Sequence, residues 1–271
     1  MIFVFLRKIK NLLISNKIFA HILAYIYILY NKFYLKNNIN IYKDTKNWIH
    51  KTSIGLIPSD KPILNPEAYV KQNFDIFFQN YFPKKNDVVI ELGAGVGCET
   101  LFISKKIGDY GKIISLEPFN EIYYYLEQTV KINNLKNVTI IKKALFKNSE
   151  GIGFSSNLNH WLEGKIDVNS KNKVMSICLN DLIKNENLKK INFCKINIEG
   201  AEKFITKNSD DFFAICENIS IECHDFLEGE EYKTFELVKN FLISKNYNIN
   251  QSKRDKFPWD KYFIYASKKL K

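Results

Sequence analysis

Short apolar runs alternate with segments of helical periodicity over the C-terminal three quarters of the chain. The apolar runs have the length of buried strands, at residues 87–92, 112–116, 138–142, 193–198 and 219–223. Helices are predicted at residues 65–81, 98–107, 120–133 and 231–244, with a helix start at 200–205. The alternation predicts an α/β fold with a mostly parallel central sheet and helices on both faces. An antiparallel closing pair of strands is expected at 246–250 and 262–266.

Three segments of different character predict the domain organisation. Residues 1–36 form a basic, apolar helical arm, whereas residues 37–64 lack a clear period, which is typical of a linker or an irregular cap. The sequence Asn-Pro-Glu at 65–67 begins the main domain, residues 65–271, because Asn is a favoured N-cap and Pro and an acid suit the first helical turn. Residues 144–190 are long for a connection between strands and are expected to form an insertion near the site.

The N-terminal arm combines apolar side chains with bases. Residues 2–13 place Ile, Leu and Phe at helical spacing with Arg and Lys between them. The next run, residues 18–30, is nearly all apolar, but it is shorter than the roughly 20 residues that a membrane span needs. Two interpretations stay open. The arm packs on the domain or on a second subunit, or residues 2–35 lie on anionic lipid, which would make the protein peripheral on the inner face of the membrane.

The positive charge of the chain is concentrated in this arm. Of the net charge of +11, residues 1–50 supply eight Lys or Arg against one acid. A basic field over the whole surface would favour nucleic acid, whereas a local excess does not, so no nucleic-acid partner is expected. The five cysteines are odd in number and contain no C-x-x-C pair. This disfavours a disulfide scaffold and a structural zinc site, and it fits a reducing cytoplasm.

A glycine-rich loop, ELGAGVG at residues 91–97, follows the first predicted strand of the main domain and opens a helix. Glycines let the backbone turn sharply and let a ligand approach, and the helix N-terminus offers free N–H groups. The dinucleotide pattern G-x-G-x-x-G would need a glycine where this chain has Cys98. The loop resembles instead the S-adenosylmethionine loop of Rossmann-like methyltransferases, which would place Glu91 at the amino-acid end of the cofactor and Gly93 and Gly95 against it. A tight turn without a ligand is the alternative.

An acid, Glu117, ends the next predicted strand. An acid at this place can accept hydrogen bonds from both ribose hydroxyls, and each such bond is worth about 1.5–3 kcal/mol. It suits NAD and S-adenosylmethionine equally, so it indicates a bound nucleoside but does not distinguish between the two cofactors. The alternative role is an N-cap acid for the helix that begins at Asn120.

Acids and one histidine follow two further strands. Alternation puts Lys195, Asn197 and Glu199 on one side of the first strand, and Glu202 comes three residues later. Because ligands in open α/β sheets bind beyond the carboxyl ends of the strands, this stretch is expected in the crevice. Its two glutamates would bind a substrate hydroxyl or a cation, or would only complement a helix dipole. His224 ends the next strand, two residues after an acid, with a structural role as the alternative.

Taken together, these motifs resemble the FkbM family of S-adenosylmethionine-dependent methyltransferases. The resemblance covers residues 67–225 and depends on VVIELGAGVG, ISLEPFNEIYYYLEQTVKINNL, NVTIIKKALFKNSEG, CLNDLI, KINIEGAE and ISIECH. It implies a Rossmann-like methyltransferase fold with S-adenosylmethionine as cofactor. The cofactor-binding residues that it implies are Glu91, Gly93, Ala94, Gly95, Gly97, Glu117, Pro118 and Asn197. Asn197 stands where the family usually has Asp, which removes a charge near the chemistry, and the loop lacks the D-x-G-A-N-x-G form.

The resemblance implies O-methyl transfer, with a sugar hydroxyl of a surface or lipid-linked glycan as the acceptor. A hydroxyl is a weak nucleophile, so a base is expected to take its proton, with a gain of about 10²–10⁴ in rate. The candidates for this base are His224, Glu199 and Glu202, and His224 is favoured because an imidazole titrates near neutral pH. Glu199 and Glu202 would orient the acceptor or hold a divalent cation, and Lys195 would neutralise the acids. The identity of a metal and the oligomeric state stay unknown.

Three other functions are open. An RNA methyltransferase would fit the isoelectric point near 9.2, but the strand ends in Asn-Ile-Glu-Gly and not in the Asn-Pro-Pro-Tyr/Phe of adenine-N6 enzymes. A binding protein that keeps the fold without activity would fit Asn197. An NAD-dependent dehydrogenase is disfavoured by Cys98.

Overall fold

The structure is a computed structural model that describes residues 17–30, 33, 41–44, 46–63, 65–155, 165–166 and 173–269. The chain divides into two compact units, Met1–Gln72 and Asn73–Lys271. The first half of the predicted arm lies outside the described residues, and so does most of 156–172 in the predicted insertion.

In the first unit, one helix and a small sheet share an apolar core. Its elements are α1 (Lys17–Tyr30), β1 (Ile41–Lys43), β2 (Trp48–Thr52) and β3 (Gly55–Ser59), and the three strands are antiparallel in the order β1-β2-β3. Ala24, Ile41 and Trp48 are buried together, with Ile28 packed against them. Within the described residues, no helix has both the length and the hydrophobicity needed to cross a membrane.

This sheet corrects the expectation that residues 37–64 form a linker or an irregular cap. The alternating pattern of a strand is hidden in β2 because its polar side chains point inward: His50 is fully buried and Thr52 nearly so. His50 Nδ1 lies 2.8 Å from the carbonyl oxygen of Ile57, and Nε2 accepts a 2.7 Å hydrogen bond from the N–H of Ile63. Burial lowers the pKa of this histidine, which fits its neutral form.

The second unit is built on one large sheet and contains several shorter strands. The strands of this unit are β4 (Val88–Leu92), β5 (Lys112–Leu116), β6 (Val138–Ile141), β7 (Ala144–Leu145), β8 (Ile152–Ser155), β9 (Lys165–Ile166), β10 (Lys173–Val174), β11 (Ser176–Ile177), β12 (Ile191–Ile196), β13 (Cys216–Glu222), β14 (Tyr247–Gln251) and β15 (Phe263–Lys268). Its α-helices, the first of which begins in the first unit, are α2 (Pro66–Phe77), α3 (Cys98–Ile107), α4 (Asn120–Ile132), α5 (Leu179–Asn185), α6 (Asp210–Ile215) and α7 (Phe235–Ser244). Short 3₁₀ helices lie at Glu202–Thr206, Glu230–Tyr232 and Asp260–Tyr262.

The large sheet has seven strands in the order β14-β15-β13-β12-β4-β5-β6. The strands β13, β12, β4, β5 and β6 are parallel, and the final hairpin joins them antiparallel through β15. The α/β fold, the mostly parallel sheet and the antiparallel closing strand are therefore confirmed. Because these five strands point the same way, their carboxyl ends meet at one edge.

Two helices differ from the prediction for local reasons. Residues 200–205 do not begin an α-helix, since the turn there is the 3₁₀ helix Glu202–Thr206. The helix expected at 231–244 begins later, at Phe235, because the carboxylate of Asp225 accepts hydrogen bonds from the N–H groups of Thr234 and Phe235, both at 3.0 Å. The capping residue lies nine residues before Thr234, so the sequence pattern at the helix start does not indicate it.

The predicted insertion at 144–190 contains short strands and one helix. β7 pairs in parallel with β11, and β8 forms antiparallel pairs with β9 and β10. Its proximity to the site stays a prediction, because residues 156–164 and 167–172 lie outside the described part.

Candidate active site

The carboxyl ends of β4, β5, β12 and β13 carry the polar residues that the sequence singled out. The glycine loop at 93–97 follows β4, and Glu117 follows β5. Residues 197–202 follow β12, and His224 lies two residues beyond the end of β13. Sheet order makes these four strands neighbours, so the sheet brings the loop, Glu117 and the acid–histidine stretch to the same edge.

The loop is shaped by glycines at positions where no side chain fits. The N–H groups of Gly93 and Ala94 both donate to the carbonyl oxygen of Leu116, at 3.0 and 2.9 Å. Gly93 has a φ of +78°, and a Cβ there would lie 1.7 Å from the carbonyl oxygen of Asn197. Gly95 also has a positive φ, but open space surrounds the place of its Cβ. The loop is therefore closed against β12 at Gly93 and open to an approaching ligand at Gly95.

Gly97 has a packing role in this structure. A Cβ at this position would lie 2.8 Å from Leu126 Cδ1 and 3.2 Å from Thr129 Cγ2, both on α4. The hydroxyl of Thr129 donates a 2.6 Å hydrogen bond to the carbonyl oxygen of Val96. The third glycine of the loop thus lets α4 approach closely, and its predicted contact with a cofactor stays a prediction.

Glu117 is buried and bound to the loop. One carboxylate oxygen accepts from the N–H of Gly95 at 3.0 Å, and the other accepts from the N–H of Phe119 at 3.1 Å. Burial raises the pKa of Glu117 to about 7, although these two hydrogen bonds and the charge of Lys195 oppose the shift. Pro118 follows it at a half-buried position. The acid lies where the sequence placed it, and its contact with a ribose stays a prediction.

Glu91 lies beneath the loop and not at the surface of the crevice. Its side chain is fully buried, and one carboxylate oxygen accepts hydrogen bonds from Thr100 Oγ1 at 2.5 Å and Ser115 Oγ at 2.8 Å. Within the described part of the chain, the other oxygen has no hydrogen-bond partner. Burial raises the pKa of Glu91 to about 7, against the opposing charge of Lys195. The expectation that Glu91 faces a cofactor therefore does not fit this geometry.

Lys195 lies in the same buried layer, because it is the register partner of Glu91 on the neighbouring strand. Its ammonium group donates a 2.7 Å hydrogen bond to the carbonyl oxygen of Gly93 and lies 3.7 Å from the nearer oxygen of Glu91. It also lies 4.9 Å from the ring centre of Phe77 on α2. The lysine thus supports the glycine loop from below, whereas the sequence placed it among the acids of the crevice.

Beyond β12 and β13, one histidine joins two glutamates. His224 is buried, with Nδ1 2.7 Å from Glu202 Oε1 and Nε2 3.2 Å from Glu199 Oε2. Glu202 is fully buried, and it also accepts from the N–H of Gly200 at 2.9 Å and from Thr234 Oγ1 at 3.2 Å. The side chain of Glu199 is 31% exposed. The three residues form a chain from the interior, through the imidazole, to the crevice.

The electrostatics of this chain favour the protonated histidine. Burial by itself lowers the pKa of His224, but hydrogen bonds to Glu199 and Glu202 outweigh it and raise the pKa to about 11. An imidazolium donates from both nitrogens and has no lone pair for a substrate proton. The sequence-based reason for choosing His224 as the base, an ordinary imidazole pKa, therefore does not fit the geometry.

Two further polar groups complete the crevice. Glu222, at the end of β13, has its pKa raised to about 7 by burial, although the charge of His224 opposes the shift. The side-chain oxygen of Asn197 is buried and, among the described residues, makes no hydrogen bond. Sequence reasoning did not include Glu222, Thr100, Ser115 or Thr234 among the site residues, and only the strand register could have indicated Ser115.

Metal binding was a further hypothesis for Glu199 and Glu202. In the described ranges, no three His, Cys, Asp or Glu side chains are grouped to hold a metal ion. The carboxylate oxygens of Glu202 are instead bound to Gly200, His224 and Thr234. A cavity of about 330 Å³ lies elsewhere, lined by residues of α5 and by Asn187, Leu188, Lys189 and Asp211.

Comparison with known proteins agrees with this arrangement. A family model described as the methyltransferase FkbM domain matches residues 91–249, which is more than half of the chain. The chain belongs to the FkbM methyltransferase family. The matched segment contains the loop, Glu117, Asn197, Glu202 and His224, so the resemblance found in the sequence is confirmed.

The similarity to solved structures lies in the fold. This FkbM-family chain is similar to the FkbM methyltransferase of Methylobacillus flagellatus KT, with a TM-score of 0.51 and 16% identity over 75% of this chain and 51% of that chain. It therefore spans about half the length of that protein. It is also similar to a putative rRNA methylase from Clostridium thermocellum (TM-score 0.47, 11% identity, 74% and 96% covered) and to Aeropyrum pernix fibrillarin with bound S-adenosyl-L-methionine (0.43, 12%, 84% and 98%).

At 16% identity the first likeness concerns the fold alone, and the other two are too distant to add to it. No curated protein matches the chain. The fold is that of an FkbM-family methyltransferase. The cofactor and the acceptor are inferred from the residues of the site.

Proposed function

We propose that this protein is an S-adenosylmethionine-dependent O-methyltransferase that acts on a sugar hydroxyl of a surface or lipid-linked glycan. One observation carries the proposal: the sheet brings the open glycine loop and Glu117 to the same edge as the Glu202–His224–Glu199 chain. A nucleoside cofactor and a hydroxyl acceptor would therefore meet at this edge. Membership of the FkbM family supports methyl transfer, and the sugar acceptor follows from the resemblance and from the affinity of carboxylates for hydroxyl groups.

The residues present fit S-adenosylmethionine. Gly95 leaves open space at the loop, and Glu117 ends the strand where a ribose is bound in such folds. The side-chain oxygen of Asn197 has, among the described groups, no hydrogen-bond donor of its own, so a ligand donor would satisfy it. When bound, the cofactor would supply an electrophilic methyl group from its sulfonium centre, and the S–CH3 bond would break to leave a neutral thioether.

In this proposal, Glu199 takes the proton of the acceptor. His224 holds its own proton between two carboxylates, whereas the carboxylate of Glu199 is partly exposed in the crevice. Glu199 would accept the hydroxyl proton as the acceptor oxygen forms its new bond, and His224 would hold Glu199 in place from behind. Glu202 in turn orients His224 and stabilises its charge at 2.7 Å.

The test uses labelled S-adenosylmethionine with the fractionated glycans, lipids and nucleic acids of a cell. We expect label in the glycan or glycolipid fraction, stable to mild alkali as a methyl ether is, and a loss of about 100-fold or more in Glu199→Gln. Glu217→Gln is the matched control, because Glu217 lies on β13, is 43% exposed and pairs with Lys190. Label in nucleic acid alone, or no binding of the cofactor by calorimetry, would overturn the proposal.

A further inference from the structure

Helix α1 has apolar side chains on two sides. One side packs on the sheet of the first unit, where the ring of Tyr25 meets the ring of Trp48 edge-on at 5.7 Å and Ala24 is fully buried. Phe19, Ile22, Ile26 and Leu29 are about half exposed, at 49%, 48%, 57% and 52%. Their spacing of three, four and three residues places them in one stripe along the helix.

We infer that this stripe, Phe19, Ile22, Ile26 and Leu29, binds to the surface of an anionic lipid membrane with the helix lying in the plane of the interface. An apolar stripe of this kind enters the boundary between headgroups and acyl chains when neighbouring bases meet lipid phosphates. The described helix has 14 residues and is about 21 Å long, less than the roughly 30 Å of a bilayer's hydrocarbon core, so these residues cover a patch of interface. The inference is independent of the methyl-transfer reaction.

The positive charge of residues 1–50 favours anionic lipid over a second copy of this chain as the partner of this surface. Residues 1–50 hold eight bases and a single acid, Asp44. The carboxylate of Asp44 is bound to the N–H groups of Lys46 and Asn47, at 2.8 and 2.5 Å. A second copy of this chain would bring the same positive charge against it, which disfavours association at low salt. Anionic headgroups instead attract each base with a free energy that falls off within a Debye length.

The experiment is co-sedimentation of the full chain with vesicles of phosphatidylcholine alone or mixed with phosphatidylglycerol. We expect binding to the mixed vesicles, weaker binding at high salt, and little binding to phosphatidylcholine alone. The double variant I22E/I26E should lose about 100-fold in affinity, because two apolar side chains no longer enter the interface and two negative charges approach the headgroups. The single variant Leu29→Glu should show a smaller loss.

The matched control is L237E/I243E, which places the same two charges at exposed apolar positions of α7. It should bind the mixed vesicles as the unchanged chain does, and circular dichroism should show equal helix content in all variants. Equal vesicle binding by I22E/I26E and the unchanged chain would overturn the inference, as would no binding to the mixed vesicles. A dimer in sedimentation that I22E/I26E converts to a monomer would also overturn it, in favour of a second copy on this surface.

Discussion

His224 should keep its proton well above neutral pH. The residue is 2% exposed, and each ring nitrogen faces a carboxylate, at 2.7 Å on one side and 3.2 Å on the other. Its pKa is raised from 6.5 to about 11, since the two glutamates outweigh the opposing effect of burial. The perturbation is a rise in pH, applied to the unchanged protein and to His224→Gln.

The sign and size of the effect on stability follow from this pKa. Because the folded pKa lies above the unfolded value of 6.5, the proton stabilises the fold fully below pH 6.5 and ceases to do so as pH rises through 11. Between about pH 7 and pH 9, the contribution should fall by about 2.5 kcal/mol, since one proton changes the free energy of unfolding by about 1.36 kcal/mol per pH unit. That is a large part of the roughly 5–15 kcal/mol that stabilises a domain.

The direct assay is NMR titration of the imidazole Cε1–H signals, which is tractable because the chain has only four histidines. The signal missing from His224→Gln should stay at its imidazolium position throughout the neutral range. Urea unfolding should show the stability difference between the two proteins narrowing by about 2.5 kcal/mol from about pH 7 to pH 9. A signal that titrates near pH 6.5, or a difference that does not change with pH, would refute the protonated form and restore His224 as a base.

Three further predictions concern the loop and its supports. Gly93→Ala should destabilise the fold by about 2 kcal/mol or more in thermal unfolding, because its Cβ would lie 1.7 Å from the carbonyl oxygen of Asn197. Lys195→Met should weaken the binding of S-adenosylmethionine about tenfold in calorimetry, because Gly93 loses its 2.7 Å hydrogen bond from below and Glu91 its counter-charge. The affinity for S-adenosylmethionine, measured by calorimetry, should fall as pH drops through about 7, where Glu117 takes a proton; Glu117→Gln should reduce that dependence and leave the part that comes from Glu91, whose pKa is also raised to about 7.

The central sheet could be predicted well from the sequence because its strands are apolar runs, several of which are followed by glycines or acidic residues. The helix at Cys98–Ile107 and the strand at Lys112–Leu116 begin and end where the pattern placed them. Burial on both faces makes such strands continuous apolar runs, which need no knowledge of their neighbours. The same reasoning failed for β2, where His50 and Thr52 face inward and find their partners only in the folded sheet.

In the site, the sequence indicated which residues meet but not how they interact. Strand ends placed Glu199, Glu202 and His224 together, because parallel strands end at one edge. Whether a histidine there is neutral or charged depends on distances of a few tenths of an ångström and on burial, neither of which the pattern contains. The loop pattern likewise indicated Glu91 as a cofactor ligand, because the pattern does not contain the hydrogen bonds with Thr100 and Ser115 that hold Glu91 beneath the loop.

Burying the charged pair of Glu91 and Lys195 inside the sheet costs desolvation free energy. The position of the pair indicates what it contributes to the site. Apolar residues of similar size would often stabilise a core as well or better than a buried ion pair. Here the ammonium of Lys195 also holds the carbonyl of Gly93, and its charge opposes the rise that burial causes in the pKa values of Glu117 and Glu222. One buried charge therefore acts on both halves of the crevice, the loop with its acid on one side and the acids near His224 on the other. A lysine with these contacts is better explained by binding and chemistry at this edge than by the stability of the sheet.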